Sequence, residues 1–323
     1  MRCSAGSLAA PLNLTLMSKK QAASSNNPAR LFPVERPVQV IDELRPGQSI
    51  ELLKELHILT REGKLNQDTR RKLKQVYHLY QFIEPLLNEV VAANPAATLA
   101  VHGAGKSYLG FILYDLFYNV AHKGAKTEGH IYGIETRADL VDKSRALAAR
   151  LGFSRMSFLN LSVQQATTSP DLPAKLDIVT ALHACDTATD DAIAFGLAKS
   201  AQHMVLVPCC QAEVAGVLKK SRALNLAKTP LAELWRHPLH AREFGSQITN
   251  VLRCLQLEAS GYQVTVTELV GWEHSMKNEL IMASRSVRPN GTQIRTAQKR
   301  LAEVLEEVGL DELKARFSAG GLG

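Results

Sequence analysis

The chain has 323 residues, of which 46% are hydrophobic and 21% charged, and its formal net charge is +7. This is an ordinary soluble globular composition, and the chain is long enough to bury at least one full hydrophobic core. The apolar run at 111–120 is short and contains Asp115. No stretch therefore has the roughly 18 uncharged apolar residues of a membrane-spanning helix, which excludes a membrane-spanning protein.

Residues 1–37 are predicted to be a flexible leader, since their apolar pieces are broken by Pro11 and Asn13. A secretory signal needs a longer apolar segment, and a transit peptide is richer in Arg. The five cysteines are an odd number and lack the regular spacing of a disulfide scaffold. We therefore expect a cytoplasmic protein.

Residues 38–94 are predicted to form an N-terminal helical region, because apolar residues recur there at steps of three and four. Asn94 and Pro95 break that pattern. From 95 to 285, short apolar runs alternate with helical stretches, as expected of a mostly parallel sheet covered by helices on both faces. A linker and an amphipathic helix are predicted for 286–323.

Seven short segments are predicted to be strands, and the last two are predicted to form a closing hairpin. These strands are 98–102, 130–134, 156–159, 176–182, 203–207, 263–269 and 278–284. The helices predicted between them are 108–120, 138–151, 189–199, 214–223 and 246–258.

A glycine turn, with the sequence VHGAGKS at 101–107, lies between the first strand and the following helix. Gly103 and Gly105 allow a tight turn and a close approach of the backbone to a ligand. The N-terminus of the helix beyond offers free N–H groups to a polar or anionic group. The cofactor-binding residues predicted here are His102, Gly103, Ala104, Gly105, Lys106 and Ser107.

Glu135 ends the second predicted strand, where a carboxylate can accept hydrogen bonds from both hydroxyls of a ribose. Its separation from the glycines exceeds the usual figure of about 20 residues. The polar stretch 119–129 accounts for the excess if it is an insertion. The alternative is an exposed Glu at a helix N-terminus.

A phosphate-binding loop is a competing interpretation of the same turn, because Gly-Lys-Ser at 105–107 matches the end of such a loop and Asp177 could act on the magnesium side. However, Ala100 stands where that loop requires its first glycine. The apolar run also continues through Val101, beyond the point where the strand would have to end.

Polar and sulfur-bearing residues follow the fourth and fifth predicted strands, at 181–190 and 207–211. Ligands of an open parallel sheet collect at such strand ends. Zinc binding is one hypothesis, but adjacent cysteines do not match common zinc spacings, so no metal site is predicted. A second hypothesis is that Cys209 is a nucleophile. The simplest hypothesis is that these cysteines are buried packing residues. The cysteines and histidine concerned are His183, Cys185, Cys209 and Cys210.

Basic residues gather in two parts of the chain, the second of which is interleaved with aromatic side chains. Either group could track a nucleic-acid backbone, since Lys and Arg gain affinity for phosphates by counterion release. The alternative is that both are solvated helical faces. The residues are Arg70, Arg71, Lys72 and Lys74, and then Lys219, Lys220, Arg236 and Arg242.

Four motifs together resemble a methyltransferase-domain family that includes bacterial hypothetical methyltransferases and eukaryotic proteins labelled rRNA adenine dimethylase-like or glutathione transferase C-terminal-domain-containing. They are GKSYLGF at 105–111, LHACD at 182–186, PCCQ at 208–211 and KNE at 277–279. The resemblance covers roughly residues 70–285. It implies a Rossmann-like class I methyltransferase fold with a seven-stranded mostly parallel sheet, S-adenosylmethionine as methyl donor, and RNA as the usual guess for the acceptor.

By position, the resemblance implies that 102–107 wraps the methionine part of the donor, Glu135 holds its ribose, and 161–164, including Ser162, borders the adenine. The segments 182–186 and 208–211 would face the acceptor, and Leu182 is also predicted to bind the cofactor. His183 and Asp186 are the predicted bases if the acceptor must lose a proton.

The glycine turn departs from the family at two positions. Val101 stands where the family has an acidic residue that pairs with the amino group of the donor, and Ala104 replaces a cysteine. The resemblance then implies either a reduced affinity for the donor or substitution by another acid such as Asp177. The sequence therefore supports two hypotheses: a methyltransferase acting on RNA, and a non-catalytic methyltransferase-like module for RNA binding or assembly.

Overall fold

The computed structural model describes residues 43–105, 108–123, 128–182, 186–208, 211–221, 228–269 and 279–318. The predicted leader, as well as Lys106, Ser107, His183 and Cys209, lies outside these ranges. No helix within them is long and apolar enough to cross a membrane.

The helices are α1 (Ile50–Glu55), α2 (Gln67–Ala93), α3 (Tyr108–Leu113), α4 (Ala138–Leu151), α5 (Val163–Thr168), α6 (Thr187–Ala198), α7 (Ala212–Ser221), α8 (Pro238–Ala259) and α9 (Gly291–Glu307). The strands are β1 (Thr98–His102), β2 (His130–Glu135), β3 (Met156–Asn160), β4 (Ile178–Leu182), β5 (His203–Val207), β6 (Tyr262–Glu268) and β7 (Glu279–Arg285). A π-helical segment, Tyr114–Ala121, continues α3, and 3-10 helices occupy Pro230–Trp235 and Asp311–Leu313.

The seven strands form one sheet in the order β3-β2-β1-β4-β5-β7-β6. Strands β1 to β5 are mutually parallel, whereas β7 pairs antiparallel with both β5 and β6. The predicted fold, with seven strands, a mostly parallel sheet and a closing hairpin, is confirmed. The chain order reverses direction at β1 and β4, which places the ends of these strands where such sheets bind ligands.

One core cluster packs the sheet against α5, α6 and α8. It includes Val179, Phe195 and Leu257, each less than 1% exposed. A second cluster joins α7, α8 and α9 through Leu218, Leu252 and other apolar residues. Leu301 and Leu305 of the predicted amphipathic helix are buried in this second cluster, as their spacing requires.

Helix α8 begins eight residues before its predicted start at 246. Its buried residues begin only at Gly245, so the first two turns have no apolar stripe that a periodicity search could detect. Pro238 stands at the first helical position, which is a helix-start signal. The short α5 between β3 and β4 was also absent from the predicted elements.

Candidate functional site

The glycine turn leaves β1 at His102, as predicted, and both glycines adopt left-handed backbone conformations. Gly103 has φ 60° and Gly105 has φ 54°, which only glycine adopts readily. Nothing lies within 4 Å of a Cβ built on Gly103, so open space faces the turn there. The N–H of Ala104 donates to the carbonyl oxygen of Ile134 at 2.9 Å, which ties the turn to β2.

Glu135 lies against the glycine turn. Its Oε2 accepts a hydrogen bond from the N–H of Gly105 at 2.7 Å, and its Oε1 accepts from the N–H of Arg137 at 3.0 Å. The 30 residues between Gly105 and Glu135 are therefore spanned by α3, the π-helical segment and β2, which together bring the two residues into contact. The first three residues of the polar stretch interpreted as an insertion, 119–121, belong to the π-helical segment.

His102 is 6% exposed at the end of β1, and its Nδ1 has no hydrogen-bond partner among the described residues. Burial lowers the pKa of its imidazole from 6.5 to about 4, against the opposing effect of the nearby Glu135 carboxylate. The ring centroid lies 6.1 Å from that of Phe195. The site therefore holds a neutral imidazole with an unused polar nitrogen beside the glycine turn.

Asp177 lies at the opposite end of the strands from the glycine turn, beside the start of β1. The expectation that it substitutes for the missing acid is therefore wrong. Its Oδ2 accepts hydrogen bonds from the N–H and the hydroxyl of Thr98, at 2.7 and 2.9 Å. Thr98 opens β1, and at about 3.3 Å per residue the glycine turn lies roughly 16 Å away. Val101 is 3% exposed and faces the core.

Asn160 ends β3 and Ser162 follows it, next to the loop after β2. The side-chain amide of Asn160 donates to the carbonyl oxygens of Glu135 and Thr136, at 3.0 and 2.8 Å. Ser162 caps α5, because its hydroxyl accepts from the N–H of Gln165 at 3.3 Å. This gives Ser162 a structural function, and its predicted contact with the cofactor stays a prediction. Leu182 is half-buried at the end of β4.

Asp186 ends the predicted acceptor segment, and its carboxylate is already engaged in hydrogen bonds. Its Oδ1 accepts from the N–H groups of Ala212 and Glu213, at 2.9 and 3.1 Å, and so caps the N-terminus of α7. The backbone of Asp186 is strained, with φ 51° and ψ −122°. Its use as a base stays a prediction, but the structure gives it a second function as a link between the loops after β4 and β5.

Arg253 of α8, which sequence reasoning missed, organises this side of the site. It is fully buried and forms a bidentate ion pair with Asp190, with distances of 2.7 Å from Nε to Oδ1 and 2.9 Å from Nη2 to Oδ2. Its Nη2 also donates to the carbonyl oxygen of the strained Asp186 at 2.8 Å. A charged residue between Leu252 and Leu255, inside a predicted apolar helix, was the available signal.

Asn250, one turn before Arg253, joins two more motifs to α8. Its Oδ1 accepts from the side-chain amide of Gln211 at 3.2 Å, and its Nδ2 donates to Glu279 Oε2 at 2.6 Å. The hydroxyl of Ser246 contacts Gln211 as well. The described ends of the three motifs at 182–186, 208–211 and 277–279 therefore converge on one face of α8.

Four of the five cysteines lie outside the described residues, so the zinc and nucleophile hypotheses are not tested by the structure. Burial and two nearby glutamates raise the pKa of the fifth, Cys254, to about 12, which makes it an unreactive packing thiol. Among the described residues, no three His, Cys, Asp or Glu side chains are grouped to hold a metal ion.

All eight predicted phosphate-contacting residues are exposed. Four of them form surface ion pairs: Arg70 with Glu43, Arg71 with Asp68, Arg236 with Glu233, and Arg242 with Glu243. Such pairs are weak and can exchange partners. The basic groups are therefore solvated faces that also remain accessible to an anion.

Residues 71–217 match a family model described as a methyltransferase domain. The matched stretch runs from α2 to α7 and includes the glycine turn, Glu135 and the ends of β4 and β5. This stretch is therefore similar to a methyltransferase domain. Helix α8 and the hairpin of β6 and β7, which complete the sheet and contact the predicted acceptor segments, lie beyond the match. No curated protein matches the chain.

The solved structures that match this chain differ greatly from it in sequence. An rRNA methylase from Streptococcus thermophilus is 7% identical, with 58% of this chain and 86% of that chain covered and a TM-score of 0.36. Magnesium protoporphyrin IX methyltransferase from Synechocystis PCC 6803 is 15% identical, with 73% of this chain and 93% of that chain covered and a TM-score of 0.39. The Methanococcus jannaschii fibrillarin pre-rRNA processing protein is 11% identical, with 59% of this chain and 67% of that chain covered and a TM-score of 0.35. The fold assignment rests on the strand order of this chain.

Proposed function

We propose that the protein transfers a methyl group from S-adenosylmethionine to an RNA acceptor. The observation that carries this proposal is the 2.7 Å hydrogen bond between the N–H of Gly105 and Glu135 Oε2. It joins a left-handed glycine turn to an acidic residue at the end of the next strand, and these are the two parts of a nucleoside pocket. The stretch 71–217, which matches a methyltransferase-domain model, contains both.

The residues present fit the donor. The open space at Gly103 admits its methionine part, and Glu135 can accept from the ribose hydroxyls through its remaining lone pairs. His102 offers an unused Nδ1 in its neutral form, which does not repel a cation. The bound donor supplies a positively charged sulfonium, so the protein has mainly to position the acceptor and exclude water.

The ends of β4, β5 and β7 supply the acceptor side. Arg253 and Asn250 fix the loops that carry Asp186 and Gln211 relative to Glu279. We assign RNA as the acceptor for two reasons. The chain carries a net charge of +7, and α7 and α8, which adjoin the proposed acceptor side, carry exposed basic residues.

Calorimetric titration with S-adenosylmethionine tests the cofactor site. Glu135→Ala should weaken donor binding at least tenfold, because it removes the acceptor of ribose hydrogen bonds and releases the glycine turn. Asp139→Ala is the matched control, since Asp139 is an exposed acid close to Glu135 in the chain whose ion pairs with Arg137 and Lys143 lie on the protein surface. Equal affinity of the two variants would refute the role of Glu135.

A non-catalytic RNA-binding or assembly module is the second proposal, and Val101 is the feature that favours it. Val101 occupies the position at which the family has an acidic residue. Among the described residues, Asp177 does not replace that acid, because it lies at the opposite end of the strands from the glycine turn. The two proposals differ in one measurement. Donor binding with no methylation of total RNA would support the module, whereas radioactive methyl transfer to RNA would support the enzyme.

A further inference from the structure

Residues 228–244, named here the arm, have no buried member. The arm consists of the 3-10 helix Pro230–Trp235 and the first two turns of α8. Its base is fixed, because the Nε1–H of Trp235 donates to the carbonyl oxygen of Leu218 at 3.2 Å. The rings of Trp235 and Phe244 also pack edge to face with centroids 5.6 Å apart. The arm is therefore an anchored projection.

The arm extends beyond the acceptor side of the site. Ser246 contacts Gln211, which follows β5, and Asn250 contacts both Gln211 and Glu279. From Ser246, α8 continues toward its N-terminus for eight residues, to Pro238. At 1.5 Å per residue this is about 12 Å beyond the wall of the site. A molecule bound along the arm is thus within reach of the acceptor side.

The arm carries exposed leucine and histidine side chains, and two arginines lie in the same segment. Leu231 and Leu239 are each 52% exposed. The rings of His237 and His240 are exposed and lie edge to face with centroids 5.2 Å apart. Arg236 and Arg242 occupy the same segment in exposed ion pairs with Glu233 and Glu243.

We propose that the arm binds an unpaired stretch of the acceptor RNA, with bases against the histidine and leucine side chains and phosphates at the arginines. This inference rests on the proposed function. Aromatic and guanidinium groups bind bases whose faces are free, whereas paired bases are stacked inside the helix. A base must also leave its helix to place a reacting atom in a pocket at a sheet edge.

Fluorescence anisotropy with the full chain tests the proposal without need of catalysis. The probe is a labelled single-stranded RNA of mixed sequence and about 12 nucleotides, compared with a duplex of the same length. We expect the wild-type protein to bind the single strand at least tenfold more tightly. The double variant His237→Ala/His240→Ala should weaken single-strand binding about tenfold, since each lost stacking contact reduces affinity severalfold.

The matched control is Lys299→Ala/Arg300→Ala, two exposed basic residues on α9, which should leave RNA binding unchanged. Thermal melting of each variant verifies folding, which exposed arm residues should not affect. Three results would each overturn the proposal. The protein could bind single strand and duplex equally, or the arm variant could bind RNA as the wild type does. Polyglutamate could also compete for the protein as well as unlabelled single-stranded RNA does. If the arm fails while S-adenosylmethionine still binds in calorimetry, the cofactor part of the proposed function stands.

Discussion

The two halves of the site are built by different means. On the proposed cofactor half, the backbone N–H groups of Gly105 and Arg137 donate directly to the Glu135 carboxylate. On the acceptor half, three distant segments are held by side chains of a single helix, α8, through Arg253 and Asn250. The cofactor half therefore depends on backbone conformation, and the acceptor half depends on a buried polar network.

The largest expected effect concerns Arg253, on which the acceptor half depends. Arg253→Met should lower the free energy of unfolding by about 3–5 kcal/mol, because Asp190 then stays buried without its partner. Urea denaturation measures this loss. Arg300→Ala is the control, since its ion pair with Glu258 is long and exposed, and it should change stability by less than about 0.5 kcal/mol.

The double variant Arg253→Met/Asp190→Leu sharpens the same comparison. It removes both charges, so it should be more stable than Arg253→Met alone. If the two variants were equally unstable, lost packing would explain the effect and the network would not be what holds the acceptor half together.

His102 sets the expected acid sensitivity of the cofactor half. Its pKa is lowered from 6.5 to about 4 in the folded protein, so the unfolded chain binds more protons between these values. The stabilisation is complete above pH 6.5 and is lost as the pH falls toward 4, by about 3 kcal/mol in total. Urea denaturation at several pH values should show this loss, and His102→Asn should flatten the curve. An unchanged slope in that variant would assign the acid sensitivity to other groups.

The same division explains what the sequence could predict. The seven strands, the glycine turn and Glu135 were predicted because each is a local signal: an apolar run, two glycines, an acid at a strand end. Arg253 and Asp190 are 63 residues apart, and only the fold brings them together. The strained φ of Asp186 and its cap on α7 were likewise invisible, since they depend on a loop meeting a helix from another part of the chain.

Gly105 gives the smallest effect on stability and the sharpest test of the backbone-built half. Gly105→Ala should destabilise the fold by about 1–2 kcal/mol, because an L residue is strained at its φ of 54°. Gly152→Ala is the matched control: Gly152 ends α4 with φ 69° and has open space around its missing Cβ, so an alanine there bears the same strain away from the site.

Thermal or urea unfolding should show the same loss of stability in the two variants. Calorimetry with S-adenosylmethionine should separate them, because Gly105, unlike Gly152, donates to Glu135, and loss of donor affinity should appear in Gly105→Ala alone. Equal losses of affinity would mean that general destabilisation, rather than the geometry of the glycine turn, controls donor binding.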